Sequence, residues 1–298
     1  MDFSVVVTTW NRPDSLAECL DALAAQAYPA EAFEVVVVDD GSAAALDDRA
    51  VQRAGRNVRL IRQVNSGPAA GRNRGAQEAC GEWLAFTDDD CRPRPGWLAA
   101  LKSALGRHPA ALVGGTTANG LRTNAYSQAS QSILDAAYRY FNPDPQNARF
   151  FATDNLAVER ERFLALGGLD ERFRVASEDR EFCERWLAGG GRIVTAEDAV
   201  VDHYHSLTFA SFCRQHFQYG RGAAQFHRGR LERLTRDVSF RWRIRDWLVR
   251  PVQESPKPAL AVGLVAAWQV ANTVGFLWES LRLPQRDLRP IFPSDRQG

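Results

Sequence analysis

Three consecutive aspartates, Asp88, Asp89 and Asp90, follow an apolar run in the stretch WLAFTDDDCRPRPGW. Each carboxyl is ordinarily ionised at neutral pH, so neighbours repel unless a cation joins them. A hard divalent ion such as Mn2+ or Mg2+ prefers carboxylate oxygens, and Mg2+ commonly adds substrate phosphates to its shell. A solvated turn would use the same residue type. A second acidic pair, Asp39-Asp40, ends another apolar run and precedes Gly41-Ser42. Carboxylates aimed at a nucleotide accept hydrogen bonds from base N–H groups or ribose hydroxyls, while a helix cap would use them structurally.

Further along lie three more candidates. The stretch NSGPAAGRNRG, residues 65–75, holds three glycines and Arg72 but neither a Walker P-loop nor a dinucleotide fingerprint. Arg72 suits a base or a phosphate; the glycines by themselves permit tight turns. Glu178-Asp179 opens an amphipathic stretch, where acids favour the positive helix end, or where one free carboxylate serves as general base. His203 and His205 in VDHYHS share a face if that segment is a strand, and imidazole is a common ligand for Mn2+.

Strands must carry these groups to one rim. FSVVVTT, FEVVVVDD and EWLAFT read as strands buried on both faces, NVRLIRQV as a shorter strand near an edge. SLAECLDALAAQ reads as a helix capped by Asp14 or Ser15, and the glycine-rich segment as a loop leading into helical AQEAC. Strands alternating with helices predict an α/β fold with a Rossmann-like, mostly parallel sheet and helices on both faces. Ligands then bind at the carboxyl ends of the strands. By that rule Thr8, Thr9, Asp39, Asp40 and Asp88 to Asp90 emerge together. Downstream, ALVGGTT and FFATDNLAVER read as strands, AYSQASQSILDAAYRYF and SEDREFCERWLA as helices, and NPDPQNAR as a loop.

The 298 residues carry 37 Lys and Arg against 36 Asp and Glu, so no global charge excess argues for nucleic acid. Five scattered cysteines without a C-x-x-C predict free thiols in a reducing, cytoplasmic setting. The start MDFSVVVTTWN has no basic leader region and reads directly as structure. Beyond His205 the chain turns basic and helical, with ten arginines from Arg214 to Arg250. Such a tail suits an anionic surface, either phosphate-rich or a membrane. Pro258 to Trp278 contains no charged residue, long enough to span a bilayer, although Gln269, Asn272 and Thr273 form a polar stripe. Three placements therefore stay open: spanning a membrane, lying on it, or docking on the protein.

The ordered set VVVTTWNRPDSL, VVVVDDGS, NSGPAAGRNRG, WLAFTDDDC, GGLDERF, SEDREFCERW and VDHYHS resembles a family 2 glycosyltransferase of the GT-A fold, over residues 3–206. The resemblance implies a catalytic domain at 1–206, followed by a C-terminal helical extension at 207–298. It implies a metal-dependent, inverting transfer of a sugar from a nucleotide-diphosphate donor, UDP above all, to a hydroxyl of a glycan or lipid-linked acceptor. In that pattern Thr8, Asp40 and Arg72 meet the nucleotide base with Asp39 beside them, and Asp88 touches ribose and lies by the metal. Asp90, alone or with Asp89, binds Mn2+ or Mg2+, while His203 or His205 completes the metal's coordination. Asp179 is the base beside Glu178. Asn155, Gly168 and Asp170 line the acceptor side. The Q-x-x-R-W signature of processive synthases is missing, since CERWLAGG has no glutamine before Arg185-Trp186; a single addition is expected. Two other classes use similar features: a sugar-1-phosphate nucleotidyltransferase, disfavoured because TTWNRPDS is no Gly-rich phosphate loop, and a non-catalytic nucleotide-sugar binding module.

Overall fold

In a computed structural model of the chain, residues 1–233 and 258–282 are described, apart from positions 45, 48–50, 52–54 and 56. The segments FRWRIRDWLVR and VQESPK lie outside the described residues. The strands are β1 (Phe3–Thr9), β2 (Phe33–Asp39), β3 (Val58–Arg62), β4 (Trp83–Asp88), β5 (Cys91–Pro93), β6 (Ala111–Asn119), β7 (Leu156–Glu159) and β8 (Arg192–His203). They form one sheet in the order β3-β2-β1-β4-β7-β6-β8-β5. The first four named pair in parallel, with β3 at the edge as its polar sequence predicts. The other half is mixed: β7 runs antiparallel between β4 and β6, β8 lies parallel to β6, and β5 antiparallel to β8.

Alternation along the strands builds two cores. Val5, Val7, Val35 and Val37 point to one face, against Leu16 and Leu20 of α1 (Pro13–Ala24) and Leu98 and Leu101 of α3 (Trp97–Arg107). Val6, Leu84 and Phe86 point to the other, against Ala69 and Ala76 of α2 (Pro68–Glu78), Phe163 of α5 (Arg160–Ala165) and Phe182 and Trp186 of α6 (Glu178–Ala188).

The glycine-rich segment corrects the expectation of a loop, because from Pro68 onward it is helix α2. Its glycines serve packing: a Cβ at Gly71 would lie 2.9 Å from Thr8 Cγ2, and one at Gly75 would collide with Val6 Cγ1. The strand expected over FFATDNLAVER shrinks to β7, preceded by a short 3-10 turn at Thr153–Asn155.

The C-terminal part is a helical pair, α7 (Phe209–Arg233) and α8 (Pro258–Arg282). They touch backbone to backbone, since a Cβ at Gly220 would fall on the Asn272 carbonyl and one at Gly275 on the Phe217 carbonyl. A third apolar cluster ties the pair to α4 (Ala125–Phe141) through Ile133, Phe212, Leu264, Val265 and Trp268. α8 is long and apolar enough to cross a membrane, with mean hydropathy 1.6 and 28% of that window buried.

Candidate active site

The carboxyl ends of β1 and β4 open into a cavity of about 920 Å3. Its walls hold Thr8 of β1, Arg72 of α2, Asp88 of β4, Glu178 and Asp179 of α6, and both His203 and His205. Seven of the residues expected from sequence to carry chemistry therefore share one space.

Arg72 organises one side. Buried on the helix that packs against β1 and β2, it donates from Nη2 to Asp88 Oδ1 at 2.6 Å and from Nη1 to Glu178 Oε1 at 2.9 Å. Burial opposes its positive charge, but Asp88 and Glu178 together outweigh that and hold its pKa above the ordinary arginine value. Glu178 is thus spent on Arg72. Asp179 is not: its one hydrogen bond among the described residues comes from the Arg180 N–H to Oδ1, at 2.7 Å. Burial first, and the Glu178 charge second, raise the Asp179 pKa well above the carboxylate range. Both acids follow Ser177, a non-glycine residue at φ 78°, and that strained turn is braced by α7, where a Cβ at Gly222 would strike the Ala176 carbonyl.

The triple aspartate splits into three roles. Asp88 faces the cavity. Asp89 turns inward, accepting from Thr9 Oγ1 at 2.7 Å and pairing with Arg12 Nη2 at 2.7 Å. Burial pushes the Asp89 pKa up to about 7, against the pull of Arg12. Asp90 pairs with Arg12 Nη1 at 2.6 Å and with His203 Nε2 at 3.3 Å. The antiparallel pairing of Cys91 with His203 brings those two together. Despite burial, the His203 hydrogen bond and charge, with Arg12, hold the Asp90 pKa below the usual carboxylate value.

A divalent cation fits this corner. Asp90, Cys91 and His203 each offer a donor atom, all within 4.8 Å of one another. Burial drives the Cys91 thiol well above its ordinary pKa, so it stays protonated and Asp90 with His203 are the usable donors. A carboxylate plus an imidazole is an acceptable set for Mn2+. Arg12 already puts positive charge on the same carboxylates. His203 and His205 stack with ring centroids 4.1 Å apart, and burial lowers the His205 pKa to about 3.

The remaining expected residues lie outside the cavity wall. Asp40 accepts from the Ser66 and Gly67 N–H groups, both at 2.9 Å, and from Gln63 Nε2 at 2.8 Å. It thereby holds the loop entering α2, whose first residue Pro68 does line the cavity. Asp39 accepts from the Ser42 N–H at 2.8 Å. Asn155 is fully engaged inside the fold, accepting from Trp97 Nε1 at 2.9 Å and donating to the Thr116 and Ala199 carbonyls. Gly168, at φ 66°, lies at a turn held by Asn73 of α2, and Asp170 is bound by Arg172.

Sequence reasoning missed Arg12, Asp154 and His216, all on the cavity wall. Asp154, in the turn before β7, is raised to about 6, chiefly by burial. His216 of α7 is buried, neither ring nitrogen has a hydrogen-bond partner among the described residues, and burial lowers its pKa to about 4. A lone histidine in a helix carries no sequence signal; Arg12 and Asp154 sat in segments read as turn and strand.

A family model, glycosyl transferase family 2, matches residues 4–166, more than half of the chain. The chain belongs to the family 2 glycosyltransferases. This glycosyltransferase is 27% identical over 229 residues to Glycosyltransferase AglE of Haloferax volcanii, covering 74% of this chain and 73% of the relative. It is 28% identical over 228 residues to the Pre-mycofactocin glycosyltransferase of Mycobacterium tuberculosis, covering 75% of this chain but 47% of that one. Among solved structures, the mannosyltransferase PcManGT from Pyrobaculum calidifontis, in complex with GDP-Man and Mn2+, superposes with TM-score 0.63 at 19% identity, over 93% of this chain and 87% of that one. TarS 1–349 of S. aureus, in complex with UDP-GlcNAc, gives 0.54 at 19% identity, over 94% and 91%. These likenesses establish the GT-A fold of the glycosyltransferase.

Proposed function

We propose that this glycosyltransferase moves a single sugar, with inversion, from a nucleotide-diphosphate donor to an acceptor hydroxyl, using Mn2+ or Mg2+. UDP is the expected nucleotide and a glycan or lipid-linked molecule the expected acceptor, at the cytoplasmic face of a membrane. Residues 1–206 act as the catalytic domain, and 207–298 as an extension whose α7 and α8 complete the cavity wall. The observation that carries this reading is the division of labour at Glu178-Asp179: one acid is neutralised by Arg72, the other is left free beside Asp88 and His203 in a single cavity.

In this scheme Thr8 and Arg72, with Asp39 and Asp40 shaping the adjacent loop, cradle the nucleotide. Asp88 accepts from ribose. Asp90 with His203, and His205 behind it, would hold the cation, which when bound neutralises charge building on the departing diphosphate. Asp179 takes the proton of the acceptor hydroxyl as that oxygen bonds to the anomeric carbon. The bond from that carbon to the diphosphate oxygen breaks on the opposite face. Asn155, Gly168 and Asp170 act by holding the acceptor-side backbone. The deciding experiment is a panel of UDP-, GDP- and dTDP-sugars with Mn2+ or Mg2+, read by release of nucleoside diphosphate. Release of inorganic pyrophosphate instead would point to nucleotidyl transfer.

A further inference from the structure

α8 buries Leu264, Val265 and Trp268 against α4 and α7, yet keeps a second apolar face turned outward. Its polar residues Gln269, Asn272 and Thr273 line the cavity. Its outward face carries Leu260, Val262, Val270, Val274, Trp278 and Leu281, from 42% exposed at Leu260 to 88% at Leu281. An apolar stripe of this length is not left facing water without a use. The sequence between α7 and α8 also bears six basic residues, Arg236 to Lys257, against three acidic ones. That charge suits a surface of anionic lipid headgroups.

The cavity joins this stripe to the chemistry. Asp88 and Asp179 share its lining with an apolar wall of Ile133, Leu134 and Phe141 of α4, Tyr219 of α7, and Trp268 and Phe276 of α8. Leu277 belongs both to this lining and to the outward face, being 55% exposed. One cavity therefore holds the carboxylates and an apolar wall that reaches the outward face of α8.

We propose that the acceptor is a lipid-linked molecule whose apolar chain lies in the trough between α4, α7 and α8 and leaves across Leu277 into a lipid surface. This rests on the transferase reading above and names the substrate class of the same cavity. The polar head meets Asp179, and the lipid anchor stays in the bilayer on which α8 rests. Each methylene that enters such a trough is worth roughly fourfold in affinity, so tail length should dominate acceptor choice.

Two arms test this on the full chain with Mn2+ present. The first is photocrosslinking with a pentadecyl glucoside carrying a diazirine at the chain end, mapped by peptide mass spectrometry. Labels on α4, α7 and α8, competed by excess farnesyl phosphate, are expected; labels scattered over the sheet surface would overturn the proposal. The second compares methyl, hexyl and decyl glycosides of several sugars, below micelle formation, by nucleotide release. Acceptance is expected to rise at least about 100-fold from methyl to decyl, and Ala223→Trp, which narrows the trough, to cut that ratio about tenfold. Equal use of methyl and decyl glycosides would sink the lipid chain while leaving the transferase intact. Absence of any nucleotide release, even by slow donor hydrolysis, would instead count against the transferase reading, and the crosslinking map would still decide the trough.

Discussion

Arg72 Nη1 lies 2.9 Å from Glu178 Oε1, although 106 residues separate them in the chain. The same guanidinium holds Asp88, so one side chain spans from the nucleotide end of the cavity to the acid pair. This link explains why two adjacent acids differ: Glu178 is a fixed counter-ion, and Asp179 is left for the role of base proposed above.

Replacing Arg72 strands two carboxylates. Side-chain exposure is 7% for Arg72 and 8% for Glu178, so the pair is buried, and breaking such a pair typically costs about 3–5 kcal/mol. Arg72→Met is expected to lose stability in that range by urea unfolding. The double variant Arg72→Met/Glu178→Gln should recover a good part of it. A double variant no more stable than the single one would contradict the pairing.

Asp179→Asn is expected to lower kcat about 10²–10⁴-fold, the usual contribution of a positioned base. Donor affinity should hold, because the amide keeps the same shape. In the wild type, activity should fall as pH drops through the raised Asp179 pKa, since the base works only when ionised. A variant with wild-type turnover would remove Asp179 from this role.

The same carboxyl affects stability with a definite sign. The Asp179 pKa lies above its ordinary value of 3.8, so between those two values the folded chain keeps a proton that the unfolded chain has released. Stability then falls as pH rises through that window. Asp179→Asn removes this loss, so in metal-free protein its Tm advantage over the wild type should widen from acid to neutral pH. Parallel Tm curves would rule the burial effect out.

Arg12 pairs with Asp89 and Asp90, so in the proposed scheme it competes with the cation for them. Arg12→Gln is expected to bind Mn2+ about tenfold more tightly in the absence of donor, measured by electron paramagnetic resonance of the free ion. Weaker binding would mean that Arg12 supports the ion and does not compete with it.

Much of this was readable in the chain beforehand. The strands announce themselves through β-branched runs such as Val5–Val7 and Val35–Val38, because a parallel sheet covered on both faces admits little else. The acid clusters fall at the expected rim for the same reason. Gly67, Gly71 and Gly75 misled because glycine signals a turn locally, whereas here two of them let α2 sit flush on the sheet. Asp40 and Asn155 have the residue types of a binding site, yet their polar atoms are engaged by backbone and side-chain groups of the fold, which only the folded geometry reveals. The polar stripe of α8 was visible, but not that it borders the cavity.

The central claim is that Asp90, with His203, and Asp179 serve one donor-binding cavity in different capacities. Calorimetric titration of UDP in the presence and absence of Mn2+ tests it most directly, on wild type, Asp90→Ala and Asp179→Asn. The account predicts Mn2+-dependent binding in the wild type and in Asp179→Asn, and its loss in Asp90→Ala. Binding that ignores Mn2+, or that survives unchanged in Asp90→Ala, would contradict it.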